Sequence, residues 1–337
     1  MKSTRHESQL EVLALAACLV ACSVPALAQT PKTDSAAKVT YPVVSEKSCP
    51  PELISVTAAD GHKATAVVRK PPGIGPFPAI VFLHGGLNER NVDRVKREAP
   101  TMPTNSRFLA VGYVTVEAVF RSRSDDPQSK DALTDCLAIL AHVKKLPGVD
   151  PKSVVILGHS GGGSLALELA GETELAAIVA GEPASIIFTG MYNKQTRRRP
   201  EQAKLMDDPK HYYTPELQKF TREKIQRITC PVLIVHGDQH PINKINHEII
   251  IPELKAAGKD VEVILYLGQP HTFVFAQEGS PEAALKCFND CDAFVRRYIK
   301  IQPTPLDRAL IKDATASGEK EKRRRGKAAE PKAADPL

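Results

Sequence analysis

The chain has 337 residues, of which 42% are hydrophobic and 25% charged, and its formal net charge is +6. This length and composition are sufficient for one sizeable domain, or two small ones, with a buried core, and they exclude disorder of the whole chain. The net charge does not indicate a nucleic-acid-binding groove, because residues 191–229 contribute +5 and residues 312–337 contribute +3, leaving −2 for the rest.

Residues 1–28 have the three parts of a secretory signal: a short charged start, an apolar stretch and an A-x-A motif ending at Ala28. This pattern predicts export with cleavage after Ala28, and the apolar stretch is too short to favour a membrane-spanning helix. The tetrapeptide LVAC, which ends at Cys22, resembles a bacterial lipoprotein box and is the alternative. We therefore expect a secreted or periplasmic protein, or a lipoprotein anchored through Cys22, with residues 29–40 as a linker.

Short apolar runs alternate with helical patterns over residues 41–302. Two runs flanking Asp60-Gly61 predict a β-hairpin. Six further runs have the length and composition of buried parallel strands: FPAIVFLHGG, GYVTVEAVF, KSVVILGHS, LAAIVAGE, CPVLIVHGD and VEVILYLGQ. The alternation predicts an α/β domain with a mostly parallel, eight-stranded sheet covered by helices on both faces. Such sheets carry their chemistry in loops at the carboxyl ends of the strands.

The first of these six strands is followed by His84-Gly85-Gly86. Two backbone N–H groups, one from such a loop and one from the residue after a nucleophile, can bind the oxyanion of a tetrahedral intermediate. We expect Gly86, or Leu87 beside it, to supply one donor and Gly161 the other. His84 is expected to brace the loop.

The strongest local motif is GHSGG, centred on Ser160, which matches G-x-S-x-G. A β-rich run precedes it and a helical pattern follows it, which is the context in which this motif places a nucleophilic serine on a strained strand-to-helix turn. Glycine is needed two positions to either side, because a Cβ there would collide with the neighbouring strand or helix. Ser160 is the predicted nucleophile; a phosphate-binding turn or a surface serine is the alternative.

Residues 183–229 form a long polar connection between two predicted strands, which predicts an insertion with its own structure, such as a helical lid. Its part from 191 to 229 contains ten basic and five acidic side chains. A basic lid would select anionic substrates, whereas a solvated helical lid with paired charges explains the same composition. Arg121 and Arg123, after a strand at the same sheet edge, are further candidates for substrate contact.

His271 follows the last predicted strand, at the same sheet edge as Ser160. In that position it could accept the serine proton and later donate it to the leaving group.

Residues 303–337 lie beyond this strand and the final helical pattern. They are rich in Lys, Glu, Ala and Pro and are predicted to be a disordered basic tail.

The order of a serine in GHSGG, an acid and His271, with His84-Gly85-Gly86 upstream, resembles the α/β-hydrolase superfamily. Within it, the chain resembles the dienelactone hydrolase and prolyl oligopeptidase catalytic-domain branch, over residues 41–302. The resemblance implies a serine hydrolase that needs no metal or organic cofactor, and the signal pattern predicts that it is exported. We expect carboxylic esters to be preferred over peptides, because too few residues precede the hydrolase pattern for the propeller domain of prolyl oligopeptidases. A serine peptidase or aminopeptidase is the nearest alternative, and a hydrolase-like binding protein with an impaired triad is another. The expected partner is a small ester or short peptide; no nucleic acid and no membrane span are expected, and the oligomeric state stays open.

The acid is where the chain departs from that branch. There the penultimate strand commonly ends in H-G-x-x-D, but this sequence reads HGDQH from His236 to His240. We expect Asp238, two positions early, to orient His271. Glu182, at the end of the preceding strand, is the alternative, and a triad without an acid is the third possibility. The alternating His236, Asp238 and His240 also suit a transition metal, but the serine motif argues against that interpretation.

Overall fold

A computed structural model describes residues 39–86, 89–122, 125–193, 196, 199–275 and 279–315. The strands in these residues are β1 (Thr40–Val44), β2 (Glu52–Thr57), β3 (Lys63–Arg69), β4 (Phe77–Leu83), β5 (Val114–Val119), β6 (Val149–His159), β7 (Ala177–Gly181), β8 (Val232–Gly237), β9 (Val261–Tyr266) and β10 (Ile311–Thr315). The α-helices are α1 (Val92–Glu98), α2 (Pro103–Ala110), α3 (Asp131–Val143), α4 (Gly161–Leu169), α5 (Ser185–Phe188), α6 (Arg199–Asp207), α7 (Pro209–Tyr212), α8 (Pro215–Arg227), α9 (Ile242–Ile245), α10 (Ile251–Ala256) and α11 (Pro281–Arg296). A π-helical turn, Asn246–Ile250, joins α9 to α10, and 3-10 turns lie at Ala99–Thr101, Phe273–Phe275 and Arg308–Leu310.

Eight strands form one sheet in the order β2-β3-β5-β4-β6-β7-β8-β9. The predicted hairpin is β2 and β3, β3 is antiparallel to β5, and all other neighbours are parallel. The predicted mostly parallel, eight-stranded sheet is therefore confirmed. The ends of β6 and β7 are in register, with His159 opposite Gly181, so the loops that follow them lie side by side.

Alternating side chains of the parallel strands enter two different cores, which is why these strands read as continuous apolar runs. In β4, Val81 and Leu83 belong to the cluster that contains the buried faces of α3, α4, α8 and α10. Ile80 and Phe82 belong to the cluster formed with α2 and α11. Full burial of such side chains contributes about 1.5–3 kcal/mol each. The two cores hold the sheet rigid, and rigid strand ends position the loops that carry the site.

Residues 183–229 contain α5 to α8, so this long connection has structure of its own, as predicted. A separate apolar cluster joins it to the helical segment after β8, through Ile186, Met191, Leu205, Ile245 and Ile249. The start of the insertion is also tied to the loop after β5, because Gln128 Nε2 donates to the carbonyl oxygens of Ile187 and Tyr192 at 3.1 and 3.0 Å.

The prediction of a disordered tail from residue 303 is wrong for its first part. Strand β10 pairs antiparallel with β1, with Thr40 opposite Thr315, and the Leu306 N–H donates to the Ala110 carbonyl at 2.8 Å. Polar composition hid this strand, because its five residues, IKDAT, contain a single large apolar side chain, that of Ile311. Residues 316–337 and the predicted signal, 1–28, lie outside the described residues. Within the described part of the chain, no helix combines the length and hydrophobicity needed to cross a bilayer.

Candidate active site

Ser160 lies on the turn between β6 and α4 with φ 53° and ψ −116°, a conformation that costs a non-glycine residue free energy and persists only where the surroundings impose it. The surroundings do so by close packing. A Cβ at Gly158 would lie 2.1 Å from the Gly162 carbonyl oxygen, and one at Gly162 would lie 2.3 Å from that of Leu83. GHSGG thus has the strand–turn–helix geometry that its sequence predicts, with Ser160 partly exposed.

The loop after β4 abuts this turn. A Cβ at Gly85 would lie 3.0 Å from Ser160 Cβ, and one at Gly161 would lie 2.9 Å from the Gly86 carbonyl oxygen. Gly86 has φ +84°, which glycine adopts without strain. The structure therefore brings together both predicted donors, Gly86 and Gly161, beside the serine. Leu87, the alternative donor, lies outside the described residues.

His84 has the environment of a bracing side chain. It is buried, and its ring stacks on that of Phe120 with 4.2 Å between centroids. Its Nδ1 lies 3.0 Å from the Gly85 carbonyl oxygen. Burial lowers the pKa of His84 to about 4, so its imidazole is neutral at neutral pH.

Glu182 follows β7 and is held against the serine turn through the backbone. The Ser160 N–H donates to the Gly181 carbonyl, and the Ala184 N–H donates to the Ser160 carbonyl, both at 2.9 Å. Glu182 has φ +45° and is fully buried. Its Oε1 accepts a hydrogen bond of 3.0 Å from the N–H of Gly237 at the end of β8. These contacts fix the orientation of its carboxylate.

The other carboxylate oxygen of Glu182 faces two imidazoles. Oε2 lies 3.3 Å from His271 Nδ1 and 3.5 Å from His159 Nε2. His159 Nε2 is also 2.6 Å from the backbone carbonyl oxygen of His271, so the residue that precedes Ser160 contacts both Glu182 and the His271 backbone. The structure thus brings His271, Glu182 and the serine turn together.

Asp238 does not make the contact with His271 that the sequence favoured. It is exposed, and its Oδ1 accepts a hydrogen bond of 2.8 Å from the Gly268 N–H. The chain after β9 crosses the end of β8 closely: a Cβ at Gly237 would lie 2.0 Å from the Gln269 carbonyl oxygen. Asp238 therefore caps this crossing segment, and the carboxylate beside His271 is that of Glu182. The expectation that Asp238 orients His271 is therefore replaced: Glu182 holds that position.

His240 occupies the position of the aspartate in the resembling branch, and it also lies against His271. Their rings stack with 4.4 Å between centroids and 26° between planes. His236 points elsewhere, since it is buried and its ring packs on that of His247 at 4.5 Å. Among the described residues, the three metal-ligating side chains whose donor atoms converge are His159, Glu182 and His271, within 4.8 Å of one another, not His236, Asp238 and His240.

Burial disfavours charge on both members of the Glu182–His271 pair. The pKa of Glu182 is raised by burial, an effect that contacts with His159 and the Gly237 N–H partly offset. Burial, together with the positive charges of His159 and His240 when protonated, lowers the pKa of His271 to about 3. His271 is therefore a neutral imidazole at neutral pH, which is the form that can accept a proton. Its side chain is 20% exposed, so a reacting group can reach it.

A small cavity adjoins the serine turn. Its volume is about 50 Å³, and its walls include Gly86, Gly161 and the apolar side chains of Phe120, Leu133 and Ile187. By comparison, an apolar cavity of about 150 Å³ accommodates benzene. The cavity is therefore small, and its walls are partly apolar and partly polar.

Arg121 also borders this cavity, but carboxylates already surround its guanidinium. Its Nη2 lies 2.8 Å from Asp135 Oδ1 and 2.6 Å from Asp60 Oδ2. An arginine with two carboxylate partners has little capacity left for an anionic substrate. Arg123, the other candidate, lies outside the described residues.

Five basic residues of the insertion also form ion pairs with carboxylates. Lys224, Arg222 and Arg227 lie within 3.1 Å of carboxylates on Glu168, Glu253 and Glu172, and Lys204 and Lys210 have glutamate partners as well. This pairing supports the interpretation of a solvated helical insertion. Arg197, Arg198 and the Arg199 side chain, on which selection of anions would chiefly depend, lie outside the described residues.

Comparisons with known proteins give one family match and several similar proteins. The family model of the dienelactone hydrolase family matches residues 113–299. The chain is 22% identical over 224 residues to the uncharacterized peptidase YtmA of Bacillus subtilis, covering 64% of this chain and 84% of that one. It is 25% identical over 204 residues to 2,6-dihydropseudooxynicotine hydrolase of Paenarthrobacter nicotinovorans, covering 58% of this chain and 53% of that one.

Solved structures with the same fold include esterases and a peptidase. One is brefeldin A esterase, a bacterial homologue of human hormone sensitive lipase, with a TM-score of 0.56, 18% identity and 80% coverage of both chains. Another is Pyrococcus horikoshii acylaminoacyl peptidase, with a TM-score of 0.58, 17% identity and coverage of 77% of this chain and 43% of that one. At these identities the likeness shows the fold, which is that of α/β-hydrolases.

Proposed function

Because the chain belongs to the dienelactone hydrolase family, we propose that it is a serine hydrolase of short-chain carboxylic esters in which Ser160, His271 and Glu182 act together. The observation that carries this proposal is the Glu182 carboxylate: it is fully buried, lies 3.3 Å from His271 Nδ1 and is tied by its neighbours' backbone to Ser160. A histidine between a buried carboxylate and a serine on a strained turn is the arrangement that activates a serine for attack.

In the proposed reaction, Ser160 Oγ attacks the acyl carbon and its proton passes to His271 Nε2. The N–H groups of Gly86 and Gly161 stabilise the oxyanion. When the tetrahedral intermediate collapses, His271 returns the proton to the leaving alcohol, and the acyl group stays on Ser160. Water then attacks the acyl-enzyme while His271 accepts its proton, and His271 returns that proton to Ser160 Oγ as the carboxylic acid is released.

Glu182 has a positioning role in this scheme. Its Oε2 is the acceptor for a proton on His271 Nδ1, and that tautomer leaves the Nε2 lone pair available to Ser160. The carboxylate also stabilises the imidazolium that forms transiently. This role is open to Glu182 because Gly237 holds Oε1 and so directs Oε2 to the imidazole.

Esters with a small acyl group are the proposed substrates, since the cavity beside Gly86 and Gly161 has a volume of only about 50 Å³. A peptidase is the second candidate, because the matched proteins include a Bacillus subtilis peptidase and the fold is shared with an acylaminoacyl peptidase.

Residues 183–229 are proposed as the lid, since Ile187 of α5 lines the same cavity. Export, through residues 1–28, is part of the proposal and rests on the sequence pattern alone.

The test combines covalent labelling with substrate choice. A fluorophosphonate probe should label the wild-type protein and not Ser160→Ala, and p-nitrophenyl acetate should be hydrolysed faster than the octanoate. Absence of labelling in the wild type would refute the serine hydrolase. Turnover of aminoacyl anilides above that of the acetate ester would instead favour the peptidase. N-terminal sequencing of the protein from the periplasm of a bacterial host tests the predicted cleavage after Ala28.

A further inference from the structure

Glu182 Oε2 lies in a cluster of three side-chain atoms that can each bind a metal ion. This oxygen and His271 Nδ1 are both buried and lie 3.3 Å apart. His159 Nε2 lies 3.5 Å from the same oxygen. Two imidazole nitrogens and a carboxylate oxygen thus converge on one small volume.

Two of the three separations among these atoms match those of ligands around a zinc ion. Zinc bonds to imidazole nitrogen and carboxylate oxygen are about 2.0–2.2 Å long, so two ligand atoms of a tetrahedral site lie ~3.4 Å apart. The observed edges from Glu182 Oε2 to His271 Nδ1 and His159 Nε2 are 3.3 and 3.5 Å. All three donor atoms lie within 4.8 Å of one another. A small closing movement of the two rings would complete three corners of a tetrahedron.

We propose that His159, Glu182 and His271 form a binding site for a divalent transition-metal ion of the zinc type, and that the bound ion reversibly inhibits the hydrolase. Imidazole donors favour zinc, copper, nickel and cobalt over magnesium and calcium. The carboxylate is fully buried, so an ion there is shielded from bulk water and its attraction to the carboxylate is strengthened. The inhibition, though not the binding, rests on the proposed function.

Inhibition follows from the two nitrogens of one imidazole ring. The ion would bind the lone pair of His271 Nδ1, and the single proton of the neutral ring then resides on Nε2. A protonated Nε2 has no lone pair with which to accept the proton of Ser160. The ion therefore holds His271 in the tautomer opposite to the one that catalysis needs, without a covalent change.

His159 must change its own partner for this to occur. Its Nε2 is 2.6 Å from the His271 carbonyl oxygen, which requires a proton on Nε2. To bind the ion, the ring must carry its single proton on Nδ1 and exchange the carbonyl for the metal at Nε2. His159 is thus the residue that separates the two states: it binds the His271 backbone in the free enzyme and the ion in the inhibited one.

The experiment uses the full-length Ser160→Ala protein, freed of metal with EDTA and then titrated with Co²⁺. Cobalt in a tetrahedral nitrogen–oxygen site has intense visible absorption, which we expect to saturate at one equivalent and to be displaced by Zn²⁺. Adding His159→Gln or Glu182→Gln should weaken the affinity for Co²⁺ at least about 100-fold. Loss of a residue that only hydrogen-bonds to a metal ligand has a smaller effect. His211→Gln, which removes an exposed histidine of the insertion, is the matched control and should leave the titration unchanged.

A second arm follows ester hydrolysis by the protein with Ser160 intact. Zn²⁺ should inhibit it and EDTA should restore it, whereas Mg²⁺ should have no effect. No saturable Co²⁺ spectrum, or an equal spectrum in His159→Gln and Glu182→Gln, would overturn the metal site. Co²⁺ binding without any ester or anilide hydrolysis would overturn the proposed function and leave the site. Binding without inhibition of an active enzyme would overturn the tautomer mechanism.

Discussion

The ends of β7 and β8 are neighbours in the sheet, and each is followed within one residue by a carboxylate, but the two carboxylates have opposite environments. Glu182 after β7 is fully buried, has φ +45° and faces His271 and His159. Asp238 after β8 is exposed and caps the backbone at Gly268. The chemistry at a strand end is therefore decided by the path of the chain that crosses it, and not by the presence of an acid in the sequence.

The same comparison explains why His240 is tolerated where the resembling branch has an aspartate. With Glu182 supplying the carboxylate from the neighbouring strand, residue 240 no longer has to be an acid, and its ring can stack on His271 instead. A carboxylate has two oxygens, and the Gly237 N–H at the end of β8 holds one of those of Glu182. The β8 end thus still takes part in the site, through its backbone.

The largest effect is expected from Glu182→Gln. The amide keeps the size of the side chain but removes its negative charge, so that it no longer stabilises the imidazolium of His271. We expect kcat for a short ester to fall about 10³- to 10⁴-fold, as in serine hydrolases that lose the triad acid. Steady-state kinetics with p-nitrophenyl acetate measure it, and circular dichroism checks the fold. A loss below tenfold would contradict the role of Glu182.

The next largest effect is expected from a second substitution that restores activity to Glu182→Gln. It tests whether a carboxylate after β8 can replace the one after β7. In a Glu182→Gln background, His240→Asp returns a carboxylate to the position from which residue 240 contacts His271. We expect kcat to recover about 10-fold or more, because proximity of a charge to the imidazole is what the first change removes. His240→Asn in the same background is the control for loss of the stacked ring. Equal kcat for the aspartate and asparagine variants would show that the β8 end no longer reaches the site.

A third carboxylate, that of Glu117 in β5, is also buried. Burial raises its pKa to about 7, from 4.5, and the charge of Arg90 offsets this only in part. The folded state therefore binds a proton that the unfolded state releases, so stability falls as pH rises from 4.5 through 7, by about 3 kcal/mol. Glu117→Gln should make Tm higher than that of the wild type at pH 8 and leave the difference small at pH 5. Thermal unfolding at the two pH values measures it, and an equal shift at both would contradict it.

The smallest effect is expected from Asp238→Asn. The amide oxygen can still accept the N–H of Gly268, and the residue is exposed, so the loss of charge should change kcat/KM less than about threefold and stability by under ~0.5 kcal/mol. The measurement is the same ester assay, side by side with Glu182→Gln. A loss comparable to that of Glu182→Gln would reverse the comparison and restore Asp238 as the acid.

Much of the fold could be predicted from the chain because the relevant signals are local. The Asp60-Gly61 turn predicts the β2–β3 hairpin, and the apolar runs predict the parallel strands, since burial on both faces requires continuous hydrophobicity. The GHSGG motif is likewise local, because its glycines are required by contacts within one strand–turn–helix unit and with β4. Strand β10 could not be predicted, because its pairing with β1 joins residues 40 and 315 and leaves no apolar pattern.

By itself, the sequence determined the class of sheet, the serine turn and the set of carboxylates that could serve His271. Only the tertiary structure decided among them, because the choice depends on the register of β7 against β6 and on the close passage of residue 269 over Gly237. The contact of His159 with both Glu182 and the His271 backbone is also tertiary. Side chains that are distant in the chain come together in the site because the parallel strands end at the same edge of the sheet. No local sequence pattern indicates which of these side chains are in contact.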